Sequence, residues 1–240
     1  MITRNISLIA CFFTKVFVTL PPQAIKKVMS NDISQSVSQG SYGAYDEENR
    51  RIQEVSDELR RCCQLYEAQL RDGKNDLNRL EAELRAAEQY AKENGIWVPM
   101  HEVFDLGVPG PSGNENDTYV SNDIIYKVNN LLNSGSILRL LDKVMCHNTL
   151  FPNTYYVLYG FTGFEGRSIM PILQQHLVKN AQPATCIEID TYMAALGFLK
   201  KNNEGRYANS DYEVWDMVPR NILKDNGGDM YVIDAEIKRL

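Results

Sequence analysis

Near the C-terminal end of the chain, in the run VWDMVPRNILKDNGGDMYVIDAE, three oxygen-bearing side chains stand at spacings that fold them together. Asp216 and Asn221 are five residues apart, with Pro219 between them. Asn221 opens onto the apolar pair Ile222-Leu223. The run Lys224-Asp225-Asn226-Gly227-Gly228 reads as a turn, because Asn and Gly adopt positive φ at low cost. Met230 to Ile233 reads as the returning strand, and Asp234 stands at its end. A hairpin of this kind places Asn221 and Asp234 side by side at one rim, with Asp216 just before it. Those groups suit phosphoryl transfer. The charge of that reaction lies on phosphate oxygens and on the metal ions that bridge them. Magnesium takes carboxylate and amide oxygens, which fits Asp234 and Asn221. A further carboxylate, Asp216, can accept or orient the proton of an attacking hydroxyl. The plainer alternative is a surface loop of turn-forming Asp and Asn residues.

Such a site needs an amine for the phosphates and elements to hold it. Tyr126-Lys127-Val128 closes a β-rich run, so Lys127 is the candidate amine; an ordinary exposed strand lysine is the alternative. Before it, residues 106–116 carry Gly107, Gly110 and Gly113, which would let backbone N–H groups approach phosphates. The spacing is not GxGxxG and the segment holds Pro109 and Pro111, so a flexible turn fits equally well. Apolar, β-rich runs fall at 118–120, 124–128, 155–159, 168–173 and 230–233, with a turn expected at 163–166. Helical patterns cover 136–146 and 185–199. Strands at hairpin distance mixed with helices predict an α+β domain over 95–240.

Ahead of that domain the texture differs. Residues 45–94 hold no proline and dense charge. Ile52, Val55, Leu59, Cys62 and Tyr66 recur at spacings of three and four, and so do Leu77, Leu80, Leu84, Ala87 and Ala91. Asp72-Gly73-Lys74-Asn75 separates the two stripes, which are out of phase across it. A helical hairpin fits, and so does a coiled coil with a stutter. The arm would serve self-association or partner docking, or fold back on itself. Residues 30–44, rich in Ser, Gln, Asn and Gly, read as a linker. With the apolar run 6–20 they form a leader segment, 1–44. That run is short for a membrane span and is interrupted by Lys15, leaving a weak signal for a secretory leader or anchor.

Bulk properties limit the function classes. The net charge of −6 argues against a broad nucleic-acid surface. The five cysteines form no CxxC pair, and the three histidines make no zinc-spaced cluster. Scattered thiols fit a reducing, cytoplasmic setting.

The pattern D-x-x-P-x-N, then strand, turn, strand and Asp, resembles the catalytic and metal-binding loops of protein kinases. Over roughly 95–240, about 60% of the chain, the sequence is similar to the serine/threonine/tyrosine kinase-like domain of polyvalent proteins, which phages and conjugative elements carry. The matching strings are GNENDTYV, IIYKVNN, HNTLFPNTYYVLYGF, ILQQ, IDTYMAALGF, YEVWDMVPRNIL and MYVIDAEI. The resemblance implies a small two-lobe kinase-like fold with a truncated C-lobe. It implies ATP and Mg²⁺ as cofactors, a protein hydroxyl as acceptor and a mobile genetic element as origin. It implies Lys127 on the α- and β-phosphates, Asp216 as base and Asn221 with Asp234 on metal. It implies Gly110 and Gly113 at the phosphates, and a hinge at Gln174, Gln175, His176 and Leu177 where backbone groups meet adenine. The chain departs from the kinase pattern in three places. Between Lys127 and Phe151 the only acid is Asp142, where a helix glutamate is usual. Val218 stands where a lysine is usual, with Arg220 nearby. The metal motif reads Asp234-Ala235-Glu236, and only six residues follow Asp234, so no activation segment or large C-lobe is expected after it. His147 and Asn148 read as a helix cap, with Phe151 in the core. The competing functions are an active phosphotransferase, an inert nucleotide-binding pseudokinase or scaffold, and a structural or packaging component.

Overall fold

The computed structural model describes residues 39–70, 78–164 and 168–240. The apolar run 6–20, most of the expected linker, the turn expected at 72–75 and most of that expected at 163–166 lie outside the described residues. Residues 39–44, read from sequence as linker, instead open the helix α1 (Gln39–Leu70).

The apolar stripes of the helical region have a definite destination. On α1, Ile52, Val55, Leu59 and Cys63 are buried; on α2 (Asn78–Glu93), Ala86, Ala87 and Ala91 are. They share one core with Ile137, Leu140, Leu141 and Val144 of α3 (Ile137–Leu150) and with Leu158 and Phe161 of β4 (Tyr156–Phe164). Each large aliphatic side chain so buried contributes about 1.5–3 kcal/mol. Leu80, expected within the stripe, is instead half exposed.

The main sheet is antiparallel, in the order β1-β2-β3-β5-β4. Its other strands are β1 (Val108–Pro109), β2 (Asn116–Ser121), β3 (Ile124–Asn129) and β5 (Ser168–His176). Strand β4 is an edge strand, and unpaired edges invite foreign pairing. Here the chain covers it. Glu48 of α1 accepts the Leu158 N–H at 2.9 Å, and Arg51 donates to the Leu158 carbonyl. Farther along, Phe161 donates to the Ile96 carbonyl at 2.9 Å and accepts from Val98 N–H at 2.8 Å. Gly160 lies against that covering segment, where a Cβ would strike the Ile96 carbonyl.

Helix α3 starts at Ser136, whose hydroxyl accepts the Arg139 N–H, while buried Glu83 of α2 accepts the N–H groups of Ile137 and Leu138. A carboxylate there satisfies orphan donors and complements the helix dipole. His147 and Asn148 lie inside the last turn of α3 and are not its cap; the His147 carbonyl accepts the Phe151 N–H. Asn148 ties the helix to β4, accepting Tyr156 N–H at 2.7 Å and donating to the Tyr156 carbonyl at 2.9 Å.

The remaining chain forms α4 (Cys186–Ala195) and two small antiparallel sheets. Thr185 and Glu188 make a reciprocal capping box at the start of α4. The helix is shorter than its sequence pattern, because Gly197 at φ +82° turns the chain into the strand β7 (Leu199–Lys200). One sheet runs β11-β10-β6, from β6 (Ala181–Pro183), β10 (Ile222–Asp225) and β11 (Met230–Val232). The other runs β12-β9-β8-β7, from β7, β8 (Tyr207–Ala208), β9 (Tyr212–Trp215) and β12 (Glu236–Arg239). Ile189, Met193, Phe198, Val214, Ile222 and Val232 form their common core. Among the described residues the fold is thus mixed α/β, with antiparallel sheets and four α-helices. None of these helices is long and apolar enough to cross a membrane.

Candidate functional site

The hairpin that carries the acids forms as its turn chemistry requires: Ile222 pairs with Val232 and Lys224 with Met230. The Ile233 N–H donates to the Asn221 carbonyl at 2.9 Å, so Asn221 sits beside the residue that precedes Asp234. Asp216 leaves β9 at φ +59°. A non-glycine residue in that region carries strain of about 1–3 kcal/mol and persists only where its surroundings enforce it. The enforcement is visible. Asn221 Nδ2 donates to the Asp216 carbonyl at 2.9 Å and to its Oδ2 at 2.8 Å, and Arg220 donates to Oδ1. The next residue, Met217, donates its N–H to the Gly205 carbonyl at 3.1 Å.

This bonding fixes the Asn221 amide. Its amide nitrogen serves Asp216, which leaves Oδ1, an acceptor, without a protein partner among the described residues. Asp234 is comparable: its carboxylate makes no hydrogen bond or ion pair among the described residues. It lines a small cavity with Lys127, Asn116, Asn129, His147 and Tyr156. No cluster of three or more His, Cys, Asp or Glu side chains able to hold a metal occurs among the described residues. Two oxygen ligands with open positions suit magnesium, which keeps waters and takes phosphate oxygens for the rest of its shell.

Lys127 reaches the same place from the main sheet. Its Nζ donates to the Ile233 carbonyl at 2.8 Å and to the Tyr156 hydroxyl at 2.9 Å, and Tyr156 also donates to Ile233 at 2.8 Å. The Ile233 peptide therefore binds Asn221 through its N–H and Lys127 through its carbonyl. Burial pushes the Lys127 ammonium down to about 8; Lys143 adds to this, while Asp234 and Glu115 oppose it. Burial likewise raises the Tyr156 hydroxyl well above the usual phenol range.

The remaining expected residues divide. Gly110 and Gly113 lie in the connection between β1 and β2, but their N–H groups point into the hairpin. Gly110 donates to Thr118 at 2.9 Å and Gly113 to Asn116 at 3.1 Å. A Cβ on Gly110 would come within 2.7 Å of Thr118 Oγ1, whereas Gly113 faces open space. Gln174 and Gln175 lie within β5, between β3 and β4, where the ladder engages their backbones. The Gln175 side chain is buried and donates to the Thr154 carbonyl at 2.6 Å. Just past the strand the Leu177 N–H is engaged as well, donating to the Asp123 carbonyl at 2.8 Å. Asp142 faces away from Lys127 and pairs with Arg60 of α1 at 3.1 Å. The side chains of α3 that face Lys127 are Leu140, Lys143, Val144 and His147. Asp142 falls off that stripe by helical geometry.

His147 is a core residue. Its ring packs against Phe151 and Tyr156, and Nε2 lies 3.1 Å from the Thr154 carbonyl. Burial first, and then the charge of Lys127, lower it to about 3. Sequence reasoning passed over Tyr156, Lys143 and Glu115 and named Glu236 only as part of the Asp234-Ala235-Glu236 motif; Tyr156 bonds Lys127, and Lys143 pairs with Glu115 and Glu236. The helical stripe Leu140, Val144, His147 was the signal for the face; nothing local marked Tyr156.

A family described as "Serine/Threonine/Tyrosine Kinase found in polyvalent proteins" matches residues 81–239, about two thirds of the chain. The match begins within α2, which contributes to the same core as the main sheet. No curated protein matches the sequence.

Proposed function

Because the chain belongs to the family of serine/threonine/tyrosine kinases found in polyvalent proteins, we propose that it is an ATP-dependent phosphotransferase of a mobile genetic element, acting on a protein hydroxyl. The observation that carries this reading is the Ile233 peptide, which joins the sheet lysine Lys127 to the Asn221–Asp234 pair through two hydrogen bonds. Lys127 and the Asp234 carboxylate line one cavity, with Asn221 bonded to the residue just before Asp234; an amine and oxygen ligands of this kind are what a nucleotide triphosphate with its metal requires.

The roles follow from what each side chain has left to offer. Asn221 Oδ1 and the Asp234 carboxylate would hold Mg²⁺. When bound, that ion neutralises charge on the β- and γ-phosphate oxygens. Lys127, held by Tyr156 and Ile233, would exchange a bond for a phosphate oxygen of the α/β pair. Asp216 would take the proton of the acceptor hydroxyl as its oxygen attacks the γ-phosphorus, with ADP departing. Arg220 and Asn221 fix the Asp216 carboxylate. Adenine would lie against the segment that follows β5.

One observation favours an inert nucleotide-binding module: no acid of α3 faces Lys127. Incubation of the full chain with labelled ATP, Mg²⁺ and a generic protein acceptor, beside Asp216→Ala, separates the readings. The proposal predicts transfer by the parent, its loss in Asp216→Ala, and thermal stabilisation of both by ATP with Mg²⁺. Stabilisation without transfer supports the inert module. No effect of ATP overturns both.

A further inference from the structure

Helix α3 turns no acid toward Lys127, yet it presents a charge there. Lys143 occupies the facing stripe, with its side chain 13% exposed. Its Nζ donates to Glu236 Oε1 at 2.7 Å and lies 3.7 Å from Glu115 Oε2. Glu236 opens β12, two residues beyond Asp234. Glu115 closes the connection that bears Gly110 and Gly113, and Asn133 Nδ2 holds its Oε2 at 3.0 Å. The other oxygen of Glu115 is buried, with no hydrogen-bond partner among the described residues. One ammonium thus links the glycine-bearing hairpin, the helix and the strand that leaves the candidate metal carboxylate. Burial pulls Lys143 down, but Asp234, Glu236 and Glu115 outweigh it and raise the group above its ordinary value.

Among the described residues Asp234 makes no hydrogen bond or ion pair, and only the charges of Lys127 and Lys143 reach it, so its direction depends on the backbone around it. On one side the Ile233 peptide is pinned by Asn221, Lys127 and Tyr156. On the other side Ala235 is buried, the Glu236 backbone pairs with Trp215 of β9, and the Glu236 carboxylate takes the Lys143 ammonium. We propose that Lys143 is a positioning residue for Asp234, acting through Glu236. It would be a counterpart, with reversed polarity, of the usual strand-lysine to helix-glutamate pair: the helix supplies the cation and the post-metal strand the anion. This inference rests on the reading of Asp234 as a metal ligand. Loss of an outer-shell partner of a metal ligand typically weakens metal affinity about 10- to 100-fold.

The test titrates a fluorescent ATP analogue onto the full chain, in chelator and across Mg²⁺ concentrations. It compares the parent with Lys143→Met, Lys143→Arg, Glu236→Gln and the double variant Lys143→Met/Glu236→Gln. Lys143→Met and Glu236→Gln should each raise the half-saturating Mg²⁺ concentration by about 10- to 100-fold, with metal-free nucleotide affinity unchanged. Lys143→Arg should restore the parental value. The double variant should be no worse than Lys143→Met, because both changes delete one link. Thermal unfolding identifies folded variants, and Glu236→Gln, which keeps the size of the side chain and removes the charge that pairs with Lys143, carries the test if Lys143→Met does not fold. An unchanged Mg²⁺ requirement beside a competent parent overturns this inference alone. So does additive loss of metal-free affinity, which would make Lys143 a phosphate ligand. A parent without Mg²⁺-dependent nucleotide binding overturns the phosphotransferase reading itself.

Discussion

Acidification should weaken this protein through His147 well before most carboxylates titrate. The ring is buried, its Nε2 faces the Thr154 carbonyl, and its Nδ1 has no hydrogen-bond partner among the described residues. Protonation would place a second N–H, and a charge, where no acceptor waits and Lys127 is near. The folded group sits at about 3, against an ordinary value of 6.5. Between those values the unfolded chain binds more protons at this residue, so stability falls as pH falls below 6.5. Integrating one proton from pH 7 to pH 5 gives a loss of about 2 kcal/mol, or roughly 4–8 °C in Tm for a domain of this size. Burial raises the pKa of Glu48 above its ordinary value of 4.5, which acts in the opposite direction. The measurement is therefore a comparison. Urea unfolding of the parent and of His147→Gln, each at pH 7 and pH 5, should show the parent losing about 2 kcal/mol more than the variant. Equal losses, or an NMR titration of His147 near 6.5, would refute the claim that this side chain is sealed in the core.

Lys127 gives a prediction of the same kind at the other end of the pH scale. Its folded value near 8 lies below the ordinary 10.5, so the unfolded chain holds the extra proton between them and the fold gains as pH rises. The stability of the parent relative to Lys127→Met should increase by about 2–3 kcal/mol from pH 7 to pH 10 in urea titrations. Gly205 has φ +75°, and a Cβ there would meet the Met217 carbonyl at 2.5 Å. Gly205→Ala should destabilise by about 1–3 kcal/mol and reduce phosphoryl transfer by displacing Asp216, as read by thermal unfolding and a transfer assay. Glu48→Ala would strand the buried Leu158 N–H on the edge of the main sheet. A loss of about 1–3 kcal/mol by urea midpoint is expected; no loss would mean that the helix does not seal that edge.

The C-terminal hairpin was legible because its signals are local. Asn226, Gly227 and Gly228 specify the turn, and the β10–β11 register then follows. The stripe of α1 was also legible as a pattern, but its destination was not. Periodicity reports an apolar face and is silent on what covers it, and here Ile52, Val55 and Leu59 pack into the chain's own core. Lys127 was readable as a strand residue, whereas its partners Tyr156 and Ile233 are 29 and 106 residues away. Asp142 was considered on residue type alone; helical phase decided against it, and Lys143 took the inward position. That Gln174 and Gln175 belong to the strand was not legible, because β5 runs to His176, farther than its apolar run. Ladder pairing on both sides extended the strand beyond what local hydrophobicity shows.

The most direct test is a crystal structure of the full chain with a nonhydrolysable ATP analogue and Mg²⁺. The account predicts the metal on Asn221 Oδ1 and Asp234, with Lys127 Nζ on an α- or β-phosphate oxygen and Asp216 facing the γ-phosphate. Nucleotide lodged instead in the open groove lined by Asp46, Arg139 and Arg239, with Lys127 still bound to Ile233, would contradict it.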